Sequence, residues 1–162
     1  MTYTLNSSIK TKPTSLTVKC VTDEKARVDF EDVFTSAYGG DKTPEQPYGE
    51  LDESYMKALR QSFNNKQKFY HFVCYDNKIP VSIATLCFLN GKGGLYNVGT
   101  VPSYRSKGCG TVATKACIDK WIELKGDTLF LQTETGSSVK KWYYKLGFKQ
   151  IFIGQTYFCK DI

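Results

Sequence analysis

The sequence has little histidine and no closely spaced cysteine pair. Its 162 residues contain one histidine, His71, and six cysteines without a C-x-x-C spacing. Zinc sites and Cys-His nucleophiles are therefore disfavoured, and we expect no metal. We expect His71 to be structural rather than a base, and the cysteines to be reduced thiols, mostly in the core, of a cytoplasmic protein.

Long apolar runs are also missing. The most apolar stretch, residues 79–89, is interrupted by Pro80, Ser82 and Thr85 and is shorter than the roughly 18 residues of a membrane helix. The first 15 residues lack the apolar centre of a signal peptide. We therefore expect no membrane partner.

Arginine is scarce although the net charge is +6, since Arg27, Arg60 and Arg105 are the only three. Up to Asp76 there are ten basic and eleven acidic residues, whereas from Asn77 onward there are twelve basic and five acidic ones. A basic second half favours one specific anion or a solvated lysine surface. A nucleic-acid surface would use more arginine, so we expect no nucleic-acid partner.

The length and the 41% hydrophobic content suit a single domain. Residues 1–14 are polar and include Pro13, so we interpret them as an N-terminal arm rather than a core element. Residues 15–162 then form the domain.

The periodicity of the apolar residues predicts a mixed α/β layer fold with the order β-αα-βββ-α-β-α-ββ. The predicted strands cover residues 16–21, 69–75, 80–89, 95–101, 128–133, 149–153 and 156–159, and the predicted helices residues 23–38, 51–63, 111–125 and 137–146. Thr22 is the expected N-cap of the first helix, with Val28 on its apolar stripe, and Tyr55 is expected on the apolar face of the second. Gly147 is expected in the left-handed conformation that ends the last helix.

One segment carries the main chemical signal. Residues 98–111 leave a strand and enter a helix through Arg105-x-x-Gly108-x-Gly110. The first turn of a helix has unpaired N–H groups, and glycines let these groups converge on an anion, so the segment predicts a phosphate-binding turn. Arg105 and Lys107 add positive charge. The spacing is neither that of a P-loop nor that of G-x-G-x-x-G.

Two motifs in this order resemble the GCN5-related N-acetyltransferase (GNAT) family. The first is a strand leading into Q/R-x-x-G-x-G/A and a helix, which residues 105–110 match. The second is a short aromatic helix ending in Tyr-x-x-x-Gly-Phe, which residues 143–148 match. The element order is also that of the family. The resemblance covers about residues 16–160 and is stronger from about residue 80 onward.

The resemblance implies a GNAT-like acyl-CoA N-acyltransferase fold that binds acetyl-CoA. The strand before the first motif would pair through its backbone with the pantetheine arm, and the turn would hold the pyrophosphate. The implied residues are Val98, Gly99 and Thr100 in the strand and Arg105, Ser106, Lys107, Gly108, Cys109, Gly110 and Thr111 in the turn. A backbone N–H of this strand would polarise the thioester carbonyl.

The resemblance also implies a catalytic acid. The family's tyrosine corresponds to Tyr143, which would protonate the departing thiolate, and Tyr144 is the neighbouring candidate. Many members have an asparagine about seven residues before this tyrosine, where this chain has Gly136. We expect the Ser137 hydroxyl to replace that contact to the cofactor.

The base is less clearly marked. The glutamate that family members often have in the strand before the first motif is missing, and this chain offers Tyr96, Asn97 and Thr100 there. Glu134, at the end of the following strand, is the expected base.

The loop between the first two helices shapes the acceptor pocket in the resembling family. Here it contains Asp41, Glu45, Tyr48 and Glu50, which would suit a cationic amine or simply carry solvated charge.

These observations predict an N-acetyltransferase in which an amine attacks acetyl-CoA directly in a ternary complex, because no activated nucleophile is visible. The amine could belong to a small molecule or a peptide, and the protein could be a monomer or a homodimer. A catalytically inactive acyl-CoA-binding sensor or interaction module of the same fold is the alternative, which the missing asparagine and glutamate favour.

Overall fold

One mixed sheet with helices on both faces forms the fold. The computed structural model describes residues 1–3, 15–39, 51 and 53–155. The strands are β1 Thr2–Tyr3, β2 Thr17–Cys20, β3 Phe69–Asp76, β4 Ile79–Leu89, β5 Lys92–Thr100, β6 Thr128–Phe130 and β7 Phe148–Lys149. The helices are α1 Glu24–Tyr38, α2 Glu53–Ser62, α3 Cys109–Glu123 and α4 Ser138–Lys145, and Pro102–Tyr104 forms a 3-10 turn. The predicted mixed α/β fold is confirmed.

The strand order in the sheet is β2-β3-β4-β5-β6-β1-β7. Tight turns at Asn77-Lys78 and Asn90-Gly91 join β3 to β4 and β4 to β5, and all four turn residues have positive φ, as type I′ hairpins require. These hairpins make β3, β4 and β5 antiparallel. The crossover through α3 brings β6 back parallel to β5.

The position of the first residues differs from the prediction that they form an arm outside the core. Residues 1–3 lie inside the sheet, where Thr2 pairs with Phe130 on one side and with Lys149 on the other. The Met1 amino group donates to the Leu131 carbonyl at 2.7 Å, and the Leu131 N–H donates to the Met1 carbonyl at 2.9 Å. A two-residue strand has too short a pattern to recognise in a sequence, because long-range pairing alone defines it. Residues 4–14 lie outside the described part.

The strand near the C-terminal end of the described residues also differs from its prediction. The strand predicted over residues 149–153 is wrong beyond Lys149, since β7 contains only Phe148 and Lys149. In the described part of the chain, β7 pairs with β1, which is itself two residues long, so the pairing ends there. Ile151, Phe152 and Ile153 are exposed. The strand predicted over residues 156–159 lies outside the described residues.

The first two helices lie close to their predicted positions, with corrections at their caps and faces. Asp23, rather than Thr22, is the N-cap of α1, because its Oδ1 accepts from the Ala26 N–H at 2.8 Å. Val28 is about half exposed, at 49%, and does not belong to the apolar stripe of α1. Tyr55 is also half exposed, at 50%, although its ring stacks on Phe34 of α1. The α1 stripe runs instead through Ala26, Phe30, Val33, Phe34 and Ala37.

The core lies on both faces of the sheet because successive strand residues point to opposite sides. On one face α1 and α2 pack against Val73, Tyr75 and Ile83. On the other, α3 and α4 pack against a cluster that includes Cys74 and Leu86. This three-layer arrangement leaves the carboxyl end of β5 and the start of α3 next to one another at one edge of the molecule.

Candidate functional site

The site begins where β5 separates from β6. Their pairing runs from Lys92 opposite Thr128 to Gly94 opposite Phe130, and β6 ends there. β5 continues to Thr100. Beyond Gly94, the β6-facing edge of β5 has no strand partner among the residues that the structure describes. An extended ligand with amide groups could pair with this open edge.

A β-bulge interrupts β5 at the same place. The flanking pairs are Thr85 opposite Tyr96 and Ile83 opposite Gly99. Between these pairs β4 has one residue and β5 has two, Asn97 and Val98. Asn97 has a φ of +51°, in the left-handed region that asparagine enters more readily than most residues. The bulge bends β5 and increases its twist just as it parts from β6.

The bulge is followed by backbone groups that alternate in direction. The Val101 N–H donates to the Val81 carbonyl of β4 at 3.0 Å. Because the direction alternates along a regular strand, the backbone groups of Gly99 also face β4, whereas those of Thr100 face the open edge; Val98 lies in the bulge, where the alternation is interrupted. The edge therefore presents both donors and acceptors to a ligand.

The predicted phosphate-binding turn is at the start of α3. Gly108 is the N-cap, with a φ of +89° and no side-chain cap, and the first helical bond runs from the Val112 N–H to the Gly108 carbonyl at 3.1 Å. The N–H groups without a helical acceptor belong to Cys109, Gly110 and Thr111. A Cβ at position 108 would meet no atom within 4 Å, so the space beside the turn is open. The helix begins at Cys109 rather than at the predicted Thr111.

The charged residues of the turn have different surroundings. The Arg105 guanidinium donates two long hydrogen bonds of 3.4 Å, one to the Thr100 carbonyl and one to the Ala37 carbonyl in the last turn of α1. Lys107 Nζ lies 4.9 Å from the centre of the Tyr104 ring. Arg105, Ser106 and Lys107 are all exposed. Arg105 therefore joins the turn to β5 and α1, while Lys107 contributes positive charge at the open side.

Three elements meet at Gly110. A Cβ there would lie 3.2 Å from Thr100 Oγ1 and 3.7 Å from the Trp142 ring of α4. The Trp142 Nε1–H donates to Thr111 Oγ1 at 3.1 Å, and Ser82 Oγ lies 2.9 Å from Thr100 Oγ1. Sequence reasoning missed Trp142 and Ser82. In the sequence, Trp142 is marked only by its position directly before the aromatic motif of residues 143–148.

The tyrosines of the second motif differ in burial. Tyr143 is buried, with its ring 4.6 Å from that of Trp142 and edge-on to Phe148 at 5.6 Å. Tyr144 is exposed, with Lys140 Nζ 5.9 Å from its ring centre. Gly147 has a φ of +96°, which confirms the predicted end of α4. The acid role of Tyr143 stays a prediction.

Ser137 and Glu134 belong to the connection between β6 and α4. Ser137 is the N-cap of α4: its Oγ accepts from the Lys140 N–H at 3.1 Å and donates to the Glu134 carbonyl at 3.0 Å. Its hydroxyl proton is thus used within the chain, and its contact to a cofactor stays a prediction. Glu134 is exposed and lies in a loop, because β6 ends at Phe130 and not near residue 133.

The structure also shows a set of side-chain hydrogen bonds, from the buried His71 and Thr85 to the half-exposed Tyr55, that the sequence did not reveal. His71 Nδ1 lies 2.9 Å from Thr85 Oγ1, and Asn97 Nδ2 donates to the same oxygen at 3.4 Å. The Tyr55 hydroxyl donates to Asn97 Oδ1 at 2.8 Å. Burial lowers the pKa of His71 to about 4, so the ring is neutral at pH 7.

A groove of about 610 Å³ lies elsewhere, between β2, β3 and the middle of α3. It contains none of the predicted site residues. Within residues 1–3, 15–39, 51 and 53–155, no three His, Cys, Asp or Glu residues are grouped so that they could hold a metal ion. No helix in the described part is long and apolar enough to cross a membrane.

Several solved structures share the fold of this chain. No curated protein sequence matches the chain. Solved structures with a similar fold include the ribosomal-protein-S18-alanine N-acetyltransferase of Escherichia coli, with 16% identity, a TM-score of 0.66 and coverage of 85% of this chain and 79% of that one. An acetyltransferase of Streptococcus agalactiae has 16% identity, a TM-score of 0.67 and coverage of 91% and 93%. The aminoglycoside antibiotic 6′-N-acetyltransferase of Acinetobacter haemolyticus has 14% identity, a TM-score of 0.63 and coverage of 90% and 99%.

Sequence identities this low show only that these structures share the fold of this chain. The sequence model of the acetyltransferase (GNAT) family, however, matches residues 31–148. This range contains the open edge of β5, the glycine turn and the aromatic helix α4. The chain therefore belongs to the GNAT acetyltransferase family.

Proposed function

We propose that the protein transfers the acetyl group of acetyl-CoA to a primary amine, by direct attack in a ternary complex. One observation carries this proposal: the open edge of β5 leads directly to a helix start whose N–H groups have no helical acceptor. A ligand that joins a peptide-like arm to a diphosphate would match both parts, and CoA is such a ligand.

The residues fit the parts of CoA in the order of the chain. Val98 and Thr100 would pair with the amides of the pantetheine arm through their backbone. Cys109, Gly110 and Thr111 would donate their N–H groups to the pyrophosphate at the positive end of the α3 dipole. The open space beside Gly108 leaves room for phosphate oxygens, and Lys107 adds charge there. When bound, acetyl-CoA supplies the activated acetyl group.

The reaction needs three further contributions from the chain. A backbone N–H at the β5 bulge, from Val98, would stabilise the negative charge on the thioester oxygen. Tyr143 would protonate the departing thiolate, with Tyr144 as the alternative. Glu134 would take the proton of the attacking amine, and its exposure in a loop means that it would act through water.

The acceptor stays a broad class. Among the structural neighbours, one enzyme is named for a ribosomal-protein alanine and another for an aminoglycoside antibiotic. Both peptide and small-molecule amines therefore belong in the first screen. A cytoplasmic location, a monomeric or homodimeric state and the absence of nucleic-acid or membrane partners are further parts of the proposal.

Thermal unfolding with acetyl-CoA, CoA and ATP in parallel tests the cofactor. A ligand that binds only the native state raises its melting temperature, so we expect a shift with both CoA species and none with ATP. An amine panel with detection of the released thiol then tests transfer. The absence of a CoA shift would contradict the proposed cofactor site.

A catalytically inactive acyl-CoA-binding module is the second candidate. The observation that favours it is the commitment of Ser137 to the α4 cap, together with the place of Glu134 outside β6. Tight CoA binding without turnover across the panel would select this function over transfer.

A further inference from the structure

A continuous set of side-chain hydrogen bonds runs from the core to the bulge of β5. It starts on α2, where the Ser62 hydroxyl donates to the Leu59 carbonyl at 2.6 Å. Ser62 Oγ also lies 3.1 Å from His71 Nε2. From His71 the contacts continue through Thr85 to Asn97 at the bulge and return to α2 at Tyr55.

The donor and acceptor of each hydrogen bond in this set follow from Ser62 at one end and Tyr55 at the other. Because the Ser62 proton goes to Leu59, Ser62 Oγ accepts from His71, whose neutral ring then carries its proton on Nε2. His71 Nδ1 is therefore an acceptor, and Thr85 donates to it. Thr85 Oγ1 in turn accepts from Asn97 Nδ2. The Asn97 amide is left with its oxygen directed at the Tyr55 hydroxyl.

We call the hydrogen-bonded set of Ser62, His71, Thr85, Asn97 and Tyr55 the clamp. Its arrangement suits holding side chains in place and not relaying a proton. A proton could pass the Asn97 amide only through its imidic acid form, which is poorly populated at neutral pH. The ring of His71 is also enclosed by aromatic groups, with Phe63 at 4.5 Å and Phe30 at 5.2 Å. His71 is 3% exposed and reaches neither solvent nor the open edge of β5.

We propose that His71 is a positioning residue that, through Thr85, fixes the amide of Asn97 at the β5 bulge and thereby ties Tyr55 of α2 to the bulge, next to the Val98 N–H proposed to stabilise the thioester oxygen. Two features make such a clamp useful. Asn97 is held in a left-handed conformation next to Val98, which would donate to the thioester oxygen. Tyr55, stacked on Phe34 at 5.6 Å, links α2 to the bulge through its hydrogen bond to Asn97 Oδ1.

This inference rests on the proposed function for its catalytic meaning, but its geometry is testable without turnover. Since His71 is the only histidine, the imidazole nitrogen NMR spectrum contains one residue's signals. We expect Nδ1 unprotonated and Nε2 protonated at pH 7. Thr85→Val should shift the Nδ1 resonance and the Asn97 side-chain amide resonances, and Thr85→Ser should restore both.

Two tyrosine variants provide a matched pair. Tyr55→Phe removes the hydroxyl at the far end of the clamp and should shift the Asn97 amide resonances. Tyr70→Phe removes a hydroxyl from the residue next to His71, where it donates to the Gln67 carbonyl at 3.4 Å outside the clamp. It should leave the Asn97 resonances in place. A protonated Nδ1, or equal responses to both variants, would overturn the clamp.

The kinetic arm uses the amine found in the screen. Loss of one hydrogen bond that positions the bulge, and with it the proposed Val98 N–H donor, should lower kcat about tenfold in Thr85→Val, a larger effect than any rise in the acetyl-CoA Kd, with near-normal kcat in Thr85→Ser. An unchanged kcat in a folded Thr85→Val enzyme would overturn the positioning role while leaving acetyl transfer intact. A wild-type protein that turns over no amine would instead contradict the proposed function, and the NMR arm would still decide whether the clamp exists.

Discussion

The Trp142 indole N–H donates to Thr111 Oγ1 at 3.1 Å and so joins α4 to the first turn of α3. Thr111 directly follows the first motif and Trp142 directly precedes the second, so this bond joins the two motifs across 31 positions of the chain. The ring also lies against Gly110, in the turn proposed to hold the pyrophosphate. The short aromatic helix therefore directly supports the glycine turn at the start of α3.

Trp142→Phe is expected to weaken CoA binding. The ring is kept but the bond to Thr111 is lost, so the first turn of α3 is held less firmly, with an effect of about 1 kcal/mol, or roughly fivefold in Kd. Calorimetric titration measures it. Trp121→Phe is the matched control, because its indole donates at the same 3.1 Å to the Thr128 carbonyl, away from the turn. Equal losses of affinity in both variants would count against this role of Trp142.

Gly108→Ala is expected to lower CoA affinity by about tenfold or more while the fold persists. The added methyl group would occupy the open space beside the turn, and the left-handed backbone costs about 1 kcal/mol with a side chain. Gly91→Ala adds a methyl group at a similar φ, +79°, in the β4–β5 hairpin far from the turn, where it would lie 3.0 Å from the exposed Asp127 carboxylate. It should lower stability similarly but keep CoA affinity. Unchanged affinity in Gly108→Ala would remove the pyrophosphate from this turn.

Tyr143→Phe should reduce turnover by about a hundredfold with a nearly unchanged Kd for CoA, as expected when a proton donor acts only in the transition state. Steady-state kinetics combined with calorimetry separates the two quantities. Tyr144→Phe, one position along α4 and exposed, is the comparison. If Tyr143→Phe kept full turnover, the acid role would pass to Tyr144 or to water.

Stability should fall as the pH decreases from about 6.5 to about 4 because of His71. Its pKa is lowered to about 4 in the folded protein from 6.5, so the unfolded chain binds more protons in this window. The contribution is fully present above pH 6.5 and is lost on acidification, by about 3 kcal/mol at pH 4.

Urea unfolding of the wild type and of His71→Gln across this pH range isolates the effect, because other groups titrate in both proteins. We expect a steeper loss of unfolding free energy in the wild type. Parallel pH profiles would show that His71 is protonated as easily in the fold as in the unfolded chain.

Local patterns predicted the parts of the site that depend on neighbouring residues. The glycines at 108 and 110 indicated the turn, and the left-handed conformation of Gly147 follows from the tolerance of glycine for positive φ. The strands β3 and β4 were equally readable, because both faces of each strand are buried under helices and the residues therefore form nearly continuous apolar runs. These features need no distant partner to be recognised.

The relations between distant segments could not be predicted in this way. The open edge of β5 exists because its pairing with β6 stops at Gly94, and the bulge at Asn97 depends on the register with β4. The insertion of Thr2 between β6 and β7, and the clamp from His71 to Tyr55, likewise arise from residues far apart in the chain.

The sequence by itself thus determined the family, the layer architecture and the glycine turn at the start of α3, since periodicity and short motifs encode local conformation. Only the tertiary structure decided where the sheet opens, which side chain caps each helix and which hydrogen bonds hold the bulge. Those features depend on strand register and on which buried polar groups meet, and both are set by packing over the whole chain.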